Sequence, residues 1–275
     1  MHLRCAGRVL ELDRPVVMGV LNVTPDSFSD GGQYLDPDAA LAQAERMAAE
    51  GAAIIDIGGE STRPGAAAVA GDEQLRRVLP VIERVAARLP LLISVDTSNP
   101  ELMRRAGSAG AHLVNDVRAL RAPGAIEAVA EGALGVCLMH MRGEPATMQI
   151  DPHYDDVLEE VKLFLAERAR LCCDAGIARE RLCIDPGFGF GKRLAHNLQL
   201  LRELAQFEPL GLPLAVGLSR KSMVAALGGR AQERLAGSLA LAAIAVLHGA
   251  RIIRAHDVAA TVDAVRIAGA VRQRS

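Results

Sequence analysis

Asp96 and Asp185 each close an apolar run a few residues before any helix could start. A carboxylate in such a place needs a donor partner, because burying an unpaired charge is costly. A heterocycle presenting an amine beside a ring N–H would supply two donors at once. The pattern is general along the chain. Apolar runs finish at Asn22, Asp56, Asp96, Asn115, His140, Asp185, Ser219-Arg220-Lys221 and Arg254-Ala255-His256. The cationic groups of the last two segments, with His256, suit a diphosphate better than one isolated arginine would. Lys221 could alternatively serve as a Schiff-base lysine, which would require a lowered pKa.

Three polar loops follow these ends. The segment 22–32 is turn-rich and long enough to move over a site. The segment 60–65 carries Arg63, suited to phosphate oxygens. The third, Asp185-Pro186-Gly187-Phe188-Gly189-Phe190-Gly191-Lys192, looks like a phosphate loop and fails the test. Pro186 stands where a Walker pattern needs glycine, and Arg193 where it needs Ser or Thr. Its glycines fit better with a flat ligand approaching the backbone while Phe190 packs on it.

Something must carry these groups to one place. Apolar runs of strand length recur at 16–21, 53–57, 91–95, 112–115, 135–139, 181–184, 213–217 and 251–254. Helical patterns rich in Ala, Leu, Glu and Arg lie between them, at 38–50, 72–88, 100–109 and 154–175 among others. Ser98-Asn99-Pro100 is a helix start, with Pro at the first turn. Eight such units predict an α/β fold, a single (β/α)8 TIM barrel over residues 1–275 with a short N-terminal hairpin. A doubly wound open sheet is the alternative, since alternation alone does not show closure. Strand parity then places Asp56, Ser94, Asp96, Asn115, Met139, Asp185, Ser219, Lys221, Arg254 and His256 towards one mouth.

Composition narrows the partners. The 275 residues are 50% hydrophobic and 23% charged, with a net charge of −2. No electrostatic bias towards nucleic acid or an anionic membrane follows from that balance. Trp is absent and Phe and Tyr together number seven, so base-stacking surfaces are not expected. Only Lys162, Lys192 and Lys221 are lysine among 31 cationic residues. Five cysteines without C-x-x-C spacing predict neither a disulfide framework nor a zinc site, and the reading is a cytoplasmic protein. Cys137 and Cys183 read as small core residues. The apolar segment 235–247 reads as a buried helix that could also help form an interface.

Taken together, the segments 22–32, 56–65, 94–97, 115–116, 138–143, 184–192 and 217–223, with Arg254-Ala255-His256-Asp257, resemble the bacterial dihydropteroate synthase family of pterin-binding barrels. The resemblance covers almost the whole chain, with Ala255 departing from the valine usual in the family. It implies an enzyme that condenses 6-hydroxymethyl-7,8-dihydropterin diphosphate with 4-aminobenzoate in folate biosynthesis. By that resemblance Asp96, Asn115, Asp185 and Lys221 bind the pterin, with Asp96, Asp185 and Lys221 catalytic. Met139, Phe190 and Gly217 line the pterin pocket. Asn22 holds Mg²⁺ with the diphosphate, assisted by Arg63, Arg254 and His256. Phe28, Thr62, Pro64, Phe190 and Ser219 form the aminobenzoate pocket. A homodimer is also implied. A corrinoid methyltransferase of the same barrel family would share the pterin pocket but not the diphosphate residues.

Overall fold

In the computed structural model, which describes residues 1–24, 37–60, 69–228 and 234–272, ten strands alternate with nine helices. The chain opens on an antiparallel hairpin, β1 (His2–Cys5) with β2 (Arg8–Glu11). Eight parallel strands follow. They are β3 (Val16–Asn22), β4 (Ile54–Gly58), β5 (Leu92–Asp96), β6 (Leu113–Asp116), β7 (Gly135–Met139), β8 (Leu182–Asp185), β9 (Ala215–Gly217) and β10 (Ile252–Ala255). Their order is β8-β7-β6-β5-β4-β3-β10-β9. A parallel bridge between Ile184 and Leu214, with the Ile184 N–H donating to the Pro213 carbonyl at 2.9 Å, brings β8 to β9 and closes the ring. This is an eight-stranded barrel, not the open sheet.

The helices between them are α1 (Pro37–Ala49), α2 (Gly71–Arg88), α3 (Pro100–Ala109), α4 (Ala125–Ala130), α5 (Val157–Asp174), α6 (Leu194–Arg202), α7 (Ser222–Gly228), α8 (Leu235–Leu247) and α9 (Val258–Arg272). Their ends follow from local chemistry. Asn99 accepts the Glu101 N–H at the start of α3, Pro100 occupies its first turn, and Gly110 ends it at φ +107°. Asp156 caps α5 by accepting from Leu158 and Glu159. Helix α8 is only half buried: Ser238, Leu241, Ala242, Ala245 and Val246 face inward, while Leu235, Ile244 and Leu247 are exposed.

Two-residue periodicity builds the barrel interior in layers. Each strand contributes one residue to the lowest layer: Met18, Ile54, Leu92, Leu113, Cys137, Cys183, Ala215 and Ile252. Leu3, Cys5 and Leu12 of the hairpin region pack into the same cluster and plug that end. All five cysteines are free thiols, and Cys137 and Cys183 are core residues. Two residues further along every strand stand Val20, Asp56, Ser94, Asn115, Met139, Asp185, Gly217 and Arg254. The interior therefore turns from apolar to polar within one step of the pleat. The alternate residues, Ile55, Ile57, Ile93, Val95 and Ile253 among them, pack outward against the helices.

Candidate active site

The polar layer is wired across the barrel. Asp56 is fully buried, and its Oδ2 accepts from Asn115 Nδ2 at 3.0 Å and from Arg254 Nε at 2.6 Å. The other arm of the same guanidinium, Nη2, donates to Asp96 Oδ2 at 2.7 Å. Arg254 thus reaches from β10 past β3 to strands β4 and β5. Burial pushes the Asp96 carboxyl up to about 7, Arg254 opposing this and Asp56 and Asp116 adding to it. Burial works against the charge of Arg254 as well, but Asp56 and Asp96 hold its guanidinium above its ordinary range. Asp56 Oδ1 and Ser94 Oγ, on register-paired residues, find no hydrogen-bond partner within the described protein. Such buried oxygens are uncommon and mark a polar interior made for something other than the protein itself.

Across the mouth stands the second carboxylate. Asp185 Oδ1 accepts the Gly187 N–H at 2.7 Å, leaving Oδ2 for another donor. Burial raises its pKa, with Lys221 opposing. Burial lowers Lys221 to about 8, Asp185 opposing, and its ammonium donates to the Phe188 carbonyl. The same Nζ lies 4.7 Å from the centre of the Phe190 ring. Phe190 packs with Val117, Met139, Met141 and Met148, an apolar wall beside the charged groups. Gly217 pairs in register with Arg254, and a Cβ there would sit 3.9 Å from Lys221 Nζ.

The loop after β8 is held from below by Lys192. This lysine is buried, and its Nζ lies within 3.0 Å of the Gly187 carbonyl, 3.1 Å of the Phe190 carbonyl and 2.9 Å of His140 Nδ1. Burial drives Lys192 well below its usual range and His140 down to about 2. Gly187 adopts φ +70°, and a Cβ there would collide with the His140 carbonyl. The glycine therefore permits a close backbone crossing under the site.

At the rim, Asn22 ends β3 opposite Gly58 of β4, whose own register partner is Asp96. Ser219 Oγ accepts the His256 N–H at 3.2 Å and lies 3.2 Å from His256 Nδ1, joining the turns after β9 and β10. A cavity of about 530 Å³ opens beside Asp96, with Glu60, Gln74, Ser98, Arg118 and Glu144 on its walls. Phe28, Thr62, Arg63 and Pro64 lie outside the described residues. Parity alone had drawn Asp56 inward without giving it a place in the site. Its pairing with Arg254 is a long-range contact that only the closed ring creates. The cation of Arg220, which lies between Ser219 and Lys221 in the sequence, pairs with Asp257.

A closed barrel with buried carboxylates, a half-buried ammonium and an apolar wall at one mouth has the form of a barrel enzyme site. Residues 18–256 match the family described as pterin binding enzymes. The dihydropteroate synthase of Escherichia coli strain K12 is 55% identical over 268 residues, covering 97% of this chain and 95% of the relative. The Xanthomonas albilineans dihydropteroate synthase with 4-aminobenzoic acid superposes with a TM-score of 0.93 at 54% identity, covering 100% of this chain and 99% of that one. The same enzyme in complex with 7,8-dihydropteroate gives 0.88 at 48% identity, with 100% and 99% covered. The chain belongs to the pterin binding enzyme family.

Proposed function

We propose that this chain is a dihydropteroate synthase: it joins 6-hydroxymethyl-7,8-dihydropterin diphosphate to 4-aminobenzoate and releases 7,8-dihydropteroate and diphosphate. The observation that carries this reading is the inward polar layer at the barrel mouth, with Asp56, Asn115, Asp185 and Arg254 on one level and Asp96 one step above. In that layer Asp185 Oδ2 accepts from the pterin's amine and ring N–H. Asn115 and Asp96 hold the ring's other polar edge, and Met139 and Phe190 take its faces. Lys221 gives a compact, directional ammonium beside the ring, where a broad guanidinium would not fit the same way.

The reaction breaks the bond between the pterin methylene carbon and the diphosphate oxygen, and the electron pair leaves on the diphosphate. The electron-rich ring stabilises the cation that remains, and the carboxylates of Asp96 and Asp185 offset its charge. The arylamine nitrogen then supplies its lone pair to the methylene carbon and loses a proton after the bond has formed. An arylamine is nucleophilic when neutral, so no strong base is needed. Positioning and electrostatics do the chemical work.

The metal implied for this reaction can be tested against the donors present. Among the described residues no group of three or more His, Cys, Asp and Glu side chains is placed to hold a metal. Asn22 offers one hard amide oxygen at the rim. That suits Mg²⁺ arriving on the diphosphate, since Mg²⁺ keeps waters and takes substrate phosphates with few protein ligands. When bound it neutralises charge on the departing diphosphate. Asn22 would hold it, with Arg63, Arg254 and His256 on the phosphate oxygens. For Arg254 this requires shifting from Asp56 and Asp96 or sharing its donors with them.

The resemblance gives the aminobenzoate pocket to Phe28, Thr62, Pro64, Phe190 and Ser219, of which the first three lie outside the described residues. Burial lowers Lys221 as a Schiff-base lysine would require, but its place beside Phe190 and across from Asp185 supports pterin binding instead. The enzyme works in the cytoplasm as a homodimer, a reading supported by the exposed Leu235, Ile244 and Leu247 on α8 and Ile267 and Val271 on α9. Among the described residues no helix is long and apolar enough to cross a membrane. Chromatography of a mixture with both substrates and Mg²⁺ tests the activity. Dihydropteroate should accumulate. Pterin binding without product would make the chain a binding protein.

A further inference from the structure

Between Ser219 and Lys221 the chain passes through Arg220 at φ +57°, a left-handed conformation that glycine adopts freely and arginine does not. Four contacts hold the arginine there. Its N–H donates to Ser238 Oγ at 3.0 Å, and that hydroxyl donates to the Arg234 carbonyl at 2.6 Å. Arg234 Nη1 returns to the Arg220 carbonyl at 2.7 Å, closing a cycle onto the start of α8. The Arg220 side chain leaves this cycle and grips Asp257 with two nitrogens, Nε at 3.0 Å from Oδ2 and Nη2 on Oδ1. Asp257 directly follows His256, and the parallel contact from Ser219 to His256 lies alongside.

The side chain of Arg220 is 53% exposed and that of Asp257 25%, and their two-nitrogen grip joins two separate turns. A glycine would relieve the backbone, and what the arginine adds at this position is its guanidinium. The residues joined by the pair are the neighbours of Lys221 on one turn and of His256 on the other. We propose that Arg220 is a positioning residue, which through Asp257 clamps the turn bearing Lys221 against the end of β10, which bears Arg254, and the turn after it, which bears His256. It thereby fixes the spacing between the ammonium on the pterin and the cations on the diphosphate. The proposal rests on the dihydropteroate synthase reading and names a part of that site which acts without touching substrate.

Arg220→Gly, Asp257→Asn and the double variant, each assayed for kcat and KM beside the wild type, provide the test. The clamp predicts that either single change lowers kcat about ten- to hundredfold, as misplaced reacting groups do. The double variant should be no worse than the worse single, because both remove one interaction. Melting temperatures should stay close to that of the wild type. If Arg220→Gly keeps kcat within about twofold, the residue serves only the turn and the proposal fails. Loss in Arg220→Gly with full activity in Asp257→Asn would mean direct contact with substrate, and also overturns it. A wild type that makes no dihydropteroate would refute the functional reading itself, a result separate from either of these.

Discussion

Asp96 combines two demands that rarely coexist, burial and charge. Its carboxyl is pushed up to about 7 by burial even with Arg254 bonded to it, so it is charged only above that pH. Lys221 is lowered to about 8, so its ammonium is present only below that pH. If both charged forms are needed by the free enzyme, kcat/KM for the pterin substrate rises as Asp96 loses its proton near 7. It falls again as Lys221 loses its own near 8. A pH–rate series should give this narrow bell, and a flat profile through neutrality would remove both roles. Asp96→Asn keeps the shape and one acceptor for Arg254 but removes the charge. Turnover should fall about a hundredfold with the melting point little changed. Near wild-type turnover would sink the assignment. Sequence parity made the inward direction of these residues legible, because the pleat period is two and the outward partners are apolar. It did not reveal the bridge from Arg254 to Asp56 and Asp96, since the partners are 198 and 158 positions apart.

The loop after β8 shows what an element contributes. Asp185, Gly187 and Phe190 must each face a different way within six residues, and a buried lysine anchors the two carbonyls that allow it. Lys192→Met removes the donor from the Phe190 carbonyl and leaves the Gly187 carbonyl only the Phe190 N–H at 3.1 Å, at a cost of roughly 1–3 kcal/mol. Thermal unfolding should show that loss. The KM for the pterin substrate should rise with it, because Phe190 and the Gly187 N–H on Asp185 move together. An unchanged KM would separate the anchor from the site. The sequence marked this loop by its glycines but assigned Lys192 no partners. His140 and Lys192 lie 52 positions apart, and the pairing of β7 with β8 is what brings them together. The expected buried helix at 235–247 is half exposed, because a segment with no charged face carries no stripe to say which side meets the barrel.

The whole barrel divides stability from chemistry along its axis. The plugged end is built from the hairpin and eight apolar strand residues, and the open end from their neighbours two positions on. Leu12→Ala at the plugged end, where the side chain is fully buried, should cost about 2–5 kcal/mol of stability and leave both KM values alone. Urea unfolding with parallel kinetics checks both halves of that expectation. The eight strands were legible as apolar runs with polar ends. Closure was not, because it depends on one bridge between β8 and β9 that no local pattern encodes.

The most direct measurement is the rate at which wild type and Asp185→Asn form dihydropteroate and diphosphate from both substrates with Mg²⁺. Equimolar products from the wild type, and a rate about a hundredfold lower in the variant, are the predicted result. Equal rates in the two proteins, or no dihydropteroate from the wild type, would contradict the account.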